Sequence, residues 1–392
     1  MKYTHIIIKF GEIFLKKRNR FFFINKLLSS IKIRLIKKNI KIEKLFDHIK
    51  ICLNNVGDNN DINEIIDILT KVSGIHSLSP IIQTSLTIDD ILEKLLYLLN
   101  AKNNKTFKIF CKRNNKKFYL NSDSIIRILA DKILEKTSLK VDVHNPEIKL
   151  FVEIRENYAY VYSDIFYACG GFPTGASGKM LMLISGGIDS PVASYMLINK
   201  GIVLDFIHFA SPPYTSEAVI DKIKDILKVL HSHAPYKMKL YIIPLTDIQL
   251  AIYSLKNNSY AITLLRRMMY RIANRIAIKF NYLAIASGDS IGQVSSQTLE
   301  SIKTIEDINE NKVPLLRPLC AIDKIDIIKK AKEIKTFNIS ILPYEDCCTV
   351  FSTKKVQTKP DIKKVIELEK GINFNLIDKA IEKVQIVFID KN

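Results

Sequence analysis

The stretch LMLISGGIDSPVASYMLINKG, Leu181 to Gly201, constrains the fold more than any other part of the chain. Its first four residues read as a strand, two glycines interrupt it, and from Pro191 the apolar spacing becomes helical. A strand that empties through glycines into a helix start is the repeating unit of an open α/β sheet. The alternation continues downstream with strand IVLDFIHF, helix SEAVIDKIKDILKVL, strand KLYIIPL and a long helix around YAITLLRRMMYRIANRIAIKF. Strand YLAIASG and helix DKIDIIKKAKEI follow. This order predicts a doubly wound parallel α/β sheet over residues 180–392. Such a sheet binds ligands at the carboxyl ends of its strands, where SGGIDS lies.

The upstream half reads differently. THIIIKF, RFFFINKLLSSIKIRL, KIEKLF, HIKICL, INEIIDILTKV and IHSLSPII give the order βαββαβ, which predicts a ferredoxin-like domain over 1–75. Asp61 or Asn60 is the predicted cap of its second helix. A second unit is expected over 76–166, with an alternative start nearer 61. It comprises helix TIDDILEKLLYLLN, strand TFKIFCKR, helix SDSIIRILADKILEK and a hairpin in KLFVEIRENYAYVYS. The glycine-rich run YACGGFPTGASGK predicts a linker over 167–179.

Bulk properties narrow the functional classes. Of 392 residues, 47% are hydrophobic and 25% charged, as in a globular protein, and no apolar run is long enough to span a membrane. MKYTHIIIKFGEI lacks the plan of a secretion signal. The six cysteines (52, 111, 169, 320, 347 and 348) follow no framework and include no CxxC, so a reducing, cytoplasmic setting is expected. The net charge of +19 is unevenly placed. Residues 1–50 hold fourteen Lys and Arg against three Asp and Glu, whereas residues 51–100 hold two against seven. Such concentration points to a polyanion partner.

At 185–190 the residue types suit a phosphate group. Gly186 and Gly187 lack a Cβ, so their N–H groups can approach phosphate oxygens, while Ser185 and Ser190 add hydroxyl donors. Asp189 would repel phosphate by itself, and a bound Mg²⁺ would make it favourable. An ordinary strand-to-helix turn is the blander explanation. Two other phosphate loops are excluded. There is no GxGxxG, and GASGKM has Pro173 and Met180 where Walker A requires Gly and Ser or Thr.

SGGIDS in this setting resembles the pyrophosphate-binding loop of the PP-loop ATP pyrophosphatases. With IIIKFGEIFLKKRNRFFF, VDVHNPEIKLFVEIRENYAYVY, SGDSIGQVSSQTLESI and PYEDCCTVF, the chain resembles the tRNA 4-thiouridine synthetase family over nearly its whole length. The resemblance implies a ferredoxin-like domain, a THUMP domain and a PP-loop domain. It also implies ATP-dependent adenylation of the C4 oxygen of uridine 8 in tRNA, followed by displacement of AMP by persulfide sulfur. ATP and Mg²⁺ are the implied cofactors. Implied partners are tRNA, a cysteine desulfurase as sulfur donor, and a second copy in a homodimer. The implied ATP contacts are Leu183, Ile184, Ser185, Gly186, Gly187, Asp189, Ser190, His208, Phe209, Arg266, Gly288 and Gln297, with Arg267 an alternative to its neighbour Arg266. The family's sulfur-carrying cysteine aligns with Cys348, and Cys347 is a bystander or a resolving thiol.

Two features depart from the family pattern: Phe10 replaces a usual Tyr, and Lys17 a usual Gly. The chain is also expected to be a short form without the rhodanese domain of longer relatives, which puts a part in thiamin thiazole synthesis in doubt. For tRNA contact the clusters Lys16, Lys17, Arg18, Arg20 and Lys112, Arg113, Lys116, Lys117 are expected. On the long helix, Arg267, Arg271 and Arg275 recur at i, i+4 and i+8, which makes one stripe, either a tRNA contact or a solvated face. The alternatives are another PP-loop tRNA-modifying enzyme, or an RNA-binding protein with an inactive PP-loop. The intact SGGIDS, SGDSIGQ and Cys348 favour the synthetase.

Overall fold

The computed structural model describes residues 3–38, 40–53, 59–100, 105–255, 258–308, 313–344 and 356–390. Two compact units divide at Gly171 and Phe172.

The first unit is built on one nine-stranded sheet with the path β2-β3-β1-β4-β8-β7-β5-β6, plus β9 against β4. In chain order its elements are β1 (His5–Phe10), α1 (Arg20–Arg34), β2 (Ile42–Lys44), β3 (His48–Cys52), α2 (Asn59–Thr70) and β4 (Ile75–Thr84). Then come α3 (Ile88–Asn100), β5 (Thr106–Arg113), α4 (Ser122–Lys136), β6 (Lys140–Val141), β7 (Ile148–Ile154), β8 (Ala159–Tyr162) and β9 (Phe166–Tyr167). The first six elements have the predicted ferredoxin-like order. Helix α2 begins at Asn59, so Asp61 lies in its first turn rather than at its cap. The division placed at 75/76 falls on the first residues of β4, a strand that serves both halves. Residues 75–81 of β4 pair with β1, and Ile82–Thr84 pair with β8. A ten-residue strand long enough for two partners makes the sheet continuous.

Lys17 has φ of +39°, a backbone conformation that costs a side-chain-bearing residue and suits glycine. This is the position where the resemblance has glycine, so the departure puts strain at the entry to α1.

The second unit holds a six-stranded sheet in the order β14-β13-β10-β11-β12-β15. Its elements begin with β10 (Lys179–Leu183), α5 (Asp189–Asn199), β11 (Val203–Ala210), α6 (Glu217–His231), β12 (Met238–Pro244), α7 (Thr246–Tyr253) and α8 (Ala261–Lys279). They continue with β13 (Ala284–Ala286), α9 (Leu299–Glu306), β14 (Leu315–Leu316), α10 (Lys324–Glu333), the C-terminal helices Ile362–Glu369 and Asn375–Glu382, and β15 (Gln385–Ile389). Strands β10 to β14 are parallel, as predicted, and β15 adds an antiparallel edge against β12. Apolar clusters line both faces of the sheet. One gathers Met182, Leu204, Phe206 and Leu240 with Val192 and Ile223. The other gathers Leu181, Ile207, Tyr241 and Ile243 with Leu264 and Met268. Alternate residues of each strand thus feed opposite cores, the pattern of a parallel sheet covered on both sides. Where the strand order turns back, β10 lies between β11 and β13, and its carboxyl end opens a crevice.

Candidate nucleotide site

The crevice is a cavity of about 360 Å³ lined by Leu183, Ile184, Ser185, Asp189, Ser190, His208, Phe209, Arg266, Gly288 and Gln297, together with Met269, Tyr270, Ser287, Asp289 and Val294. Ten of the twelve residues expected to contact ATP therefore share one cavity. The other two, Gly186 and Gly187, lie in the same loop but do not form its wall.

The loop after β10 is closed by its own hydroxyls. The backbone N–H of Ser185 donates to Ser190 Oγ at 3.0 Å, and Ser190 Oγ donates to the Ser185 carbonyl at 3.1 Å. Register with β11 is held by the Ile184 N–H on the Ile207 carbonyl at 2.9 Å. His208 Nδ1 lies 3.1 Å from the Ile184 carbonyl, so the imidazole braces the strand end from the next strand. Asp189 opens α5, and its carboxylate forms an ion pair with Lys324 at the start of α10. Lys324 was not foreseen from sequence, because nothing local to DKIDII says which acid it meets.

The opposite wall is organised by Asp289, which is buried. Arg266 Nη2 donates to it at 2.6 Å, Tyr270 OH at 2.9 Å, Ser287 Oγ at 2.8 Å and Gln297 Nε2 at 3.2 Å. Burial alone would raise its carboxyl, but the Arg266 charge and these donors outweigh it, so the group is held well below the usual carboxylate range. Asp289 thus orients two expected ligand contacts, Arg266 and Gln297, without being predicted itself. The signal for it was present, as the acid inside the glycine turn of SGDS. Gln297 Oε1 is buried with no hydrogen-bond partner among the described residues.

Gly288 is needed where it stands. A Cβ there would meet Ser190 N at 2.7 Å and Ser190 Cα at 2.8 Å, so the turn after β13 rests directly on the start of α5.

The arginine stripe of α8 needs correction. Arg266 faces the cavity, but Arg267 and Arg271 are 0% and 4% exposed and cannot contact tRNA. Both pair with the buried Glu369: Arg267 Nε lies 2.7 Å, and Arg271 Nη1 2.6 Å, from its Oε1. Arg275 pairs with Asp378 at 2.6 Å. Arg267 and Arg271 thus dock a C-terminal helix instead of meeting solvent or a nucleic acid, whereas Arg275 pairs with its carboxylate at the surface.

In the first unit, Lys17, Arg18, Lys112, Lys116 and Lys117 are exposed. Arg20 lies over the rings of Phe14 and Phe46, 3.9 and 4.8 Å from their centroids, and Lys16 lies over Phe23. Arg113 Nη1 donates to the carbonyls of Phe118 and Leu120, so it shapes the loop that carries Lys116 and Lys117. Cys347 and Cys348 lie outside the described residues. Among those residues no three metal-ligating side chains gather, and no helix is long and apolar enough to cross a membrane.

Comparison with known proteins agrees with this architecture. Three family descriptions match in succession: the ThiI ferredoxin-like domain over residues 5–79, the THUMP domain over 86–164, and the thiamine biosynthesis protein ThiI over 175–374. A probable tRNA sulfurtransferase of Thermoanaerobacter sp. (strain X514) is 42% identical over 97% of this chain and 98% of its own. One from Staphylococcus saprophyticus is 39% identical over 99% of this chain and 95% of its own. A crystal structure of a 4-thiouridine synthetase in complex with RNA and with bound ATP superimposes with a TM-score of 0.87 at 32% identity. That match covers 99% of this chain and 100% of the other. The chain belongs to the ThiI family, together with the proteins named tRNA sulfurtransferase that it matches over nearly its whole length.

Proposed function

We propose that the protein is an ATP-dependent tRNA sulfurtransferase that makes 4-thiouridine at position 8. The observation that carries this reading is the cavity at the carboxyl end of β10, which gathers the loop hydroxyls, Arg266 and Gln297 around one space large enough for a nucleotide. ATP is proposed to lie there, with the triphosphate against Ser185–Ser190 and Arg266 beside its charge. Gln297 Oε1, which has no partner among the described residues, is an acceptor suited to a nucleobase amino group. Magnesium held through the phosphates needs only one or two protein carboxylates, and Asp189 fits as that ligand.

The uridine C4 oxygen would attack the α-phosphorus, forming an O–P bond as the bond to pyrophosphate breaks. The terminal sulfur of a Cys348 persulfide would then attack C4 as AMP leaves with the oxygen, and a second thiol would attack the Cys348 sulfur, breaking the S–S bond to leave the sulfur on C4 and a disulfide between the two thiols. A uracil carbonyl oxygen is a poor leaving group, and adenylation makes it a good one. The described chain on either side of 345–355 supports Cys348 as the carrier. Before it, the Leu342 carbonyl accepts from Lys222, whose side chain borders Gly186. After it, the Thr358 carbonyl accepts from Thr298 Oγ1 at 2.6 Å and Ser301 Oγ at 3.1 Å, immediately beyond Gln297. Both attachment points flank the nucleotide cavity. Cys347 is assigned no step.

The same reading carries tRNA held by Lys16, Lys17, Arg18, Arg20, Lys112, Arg113, Lys116 and Lys117. It also carries a cysteine desulfurase as sulfur source, a homodimeric state and a cytoplasmic location. The test is to incubate the protein with ATP, Mg²⁺, a desulfurase, cysteine and transcribed tRNA, and to measure 4-thiouridine by its absorbance. Cys348→Ser and Asp189→Ala should abolish product. Full turnover by Cys348→Ser would reject the sulfur assignment.

A further inference from the structure

The entry to α1 gathers aromatic rings at the surface. Phe14 is 47% exposed, Phe21 64% and Phe46 80%. Single exposed apolar side chains are ordinary, but cations join these rings into one patch. Arg20, the first residue of α1, seats its guanidinium over both Phe14 and Phe46 and donates from Nη2 to the Phe46 carbonyl. Lys44 Nζ stands 4.8 Å from the ring centroid of Phe21, the next residue along α1. Phe46 lies in the turn between β2 and β3, which the Leu45 N–H closes on the His48 carbonyl at 3.0 Å. Phe46 is therefore held by its own turn and by Arg20, yet most of it stays exposed.

We infer that Phe46, Phe14 and Phe21 form a stacking surface for unpaired bases of the RNA substrate. The assignment rests on the tRNA reading and adds to its lysines and arginines the groups that would take bases rather than phosphates. Charge favours RNA over a protein partner on this patch. Lysine is depleted from protein–protein interfaces, whereas here a lysine or arginine sits on each of these rings. Sites for single-stranded nucleic acid combine the two, because cations meet the backbone while every base has a π-face to lay on a ring. A paired A-form stem keeps its bases stacked inside, so only bases outside a helix can reach these phenylalanines. Arg20 holds Phe46 in place before RNA arrives, which lowers the ordering cost of binding.

Equilibrium binding of transcribed tRNA, a short oligoadenylate and a blunt RNA duplex to the full chain tests this over a salt series. Phe46→Ala should weaken tRNA and oligoadenylate binding about tenfold, the effect of losing one base–aromatic stack, and leave the duplex at its wild-type affinity. Stacking releases no counterions, so the plot of log affinity against log salt should shift as a whole and keep its slope. Phe46→Tyr should keep wild-type affinity. Phe46→Leu, apolar but without a π-face, should behave as Phe46→Ala does. Should Phe46→Ala fail to fold by circular dichroism, Phe21→Ala carries the same comparison on the neighbouring ring. Unchanged tRNA binding in Phe46→Ala, or an equal loss on the duplex, overturns the assignment. Full affinity in Phe46→Leu also overturns it and marks the patch as a purely apolar contact. If wild-type protein binds no tRNA, the tRNA reading itself fails, and this inference with it.

Discussion

Arg267, Arg271 and Arg275 lie four residues apart on α8, and each ends on a carboxylate of the C-terminal helices. Helical period puts them on one face but does not say what that face meets. The carboxyl of Glu369 is raised by burial, yet hydrogen bonds from Arg267 and Arg271 overcome this and hold it below its ordinary value. Removing the acid takes the shared carboxylate from two enclosed guanidinium groups. Glu369→Ala should therefore destabilise the second unit by about 3–5 kcal/mol, read from denaturant unfolding. Arg271→Ala should leave the salt dependence of tRNA binding as it is in wild type, and a shallower slope would restore the stripe as a phosphate-binding surface. Asp289 is the counterpart on the cavity side. A carboxylate that receives Arg266, Tyr270, Ser287 and Gln297 holds the wall in one geometry before any ligand arrives.

At the scale of elements, the regular alternation of strands and helices was legible from period alone, and every strand of the predicted parallel sheet is present. What escaped were pieces too short or too ambiguous to carry a period. Strand β14 is two residues long, and β15 reads as a brief apolar run whose antiparallel direction nothing local encodes. Lys17 was visible as an unusual residue, but its positive φ explains why glycine suits that position. The packing of the turn after β13 on the start of α5 is an element-level constraint with a sharp consequence. Gly288→Ala places a methyl group against the Ser190 backbone, so one of the two must move. Overpacking of this sort costs about 1–3 kcal/mol. Nucleotide affinity should fall together with the melting temperature, because the displaced backbone is the phosphate loop's own anchor. Unchanged ATP binding in a folded Gly288→Ala variant would show that the loop does not depend on this packing.

Across the whole molecule, the excess of positive charge has two fates. Part is neutralised internally, as in Arg155 with Asp47 and Glu153, or Lys9 with Glu153. Part stays exposed, as at Lys112, Lys116 and Lys117. Only the second kind can release counterions from a bound nucleic acid. Reversing those three lysines to glutamate should weaken tRNA binding. The slope of log affinity against log salt should become shallower by about one unit for each phosphate that is no longer neutralised. Filter binding over a salt series measures it. An unchanged slope would remove this cluster from the tRNA surface.

The sequence by itself determined the order of elements, the ferredoxin-like and parallel-sheet plans, and the loop at 185–190. Each of these follows from local spacing and from what a backbone without Cβ can do. Only the tertiary structure decided that Arg266 faces the cavity while Arg267 is enclosed, that Asp289 organises the wall, and that Lys222 reaches Gly186. Those choices depend on which distant segments pack together. The partner of Arg267 lies 102 residues away along the chain, and no local period carries information over that distance.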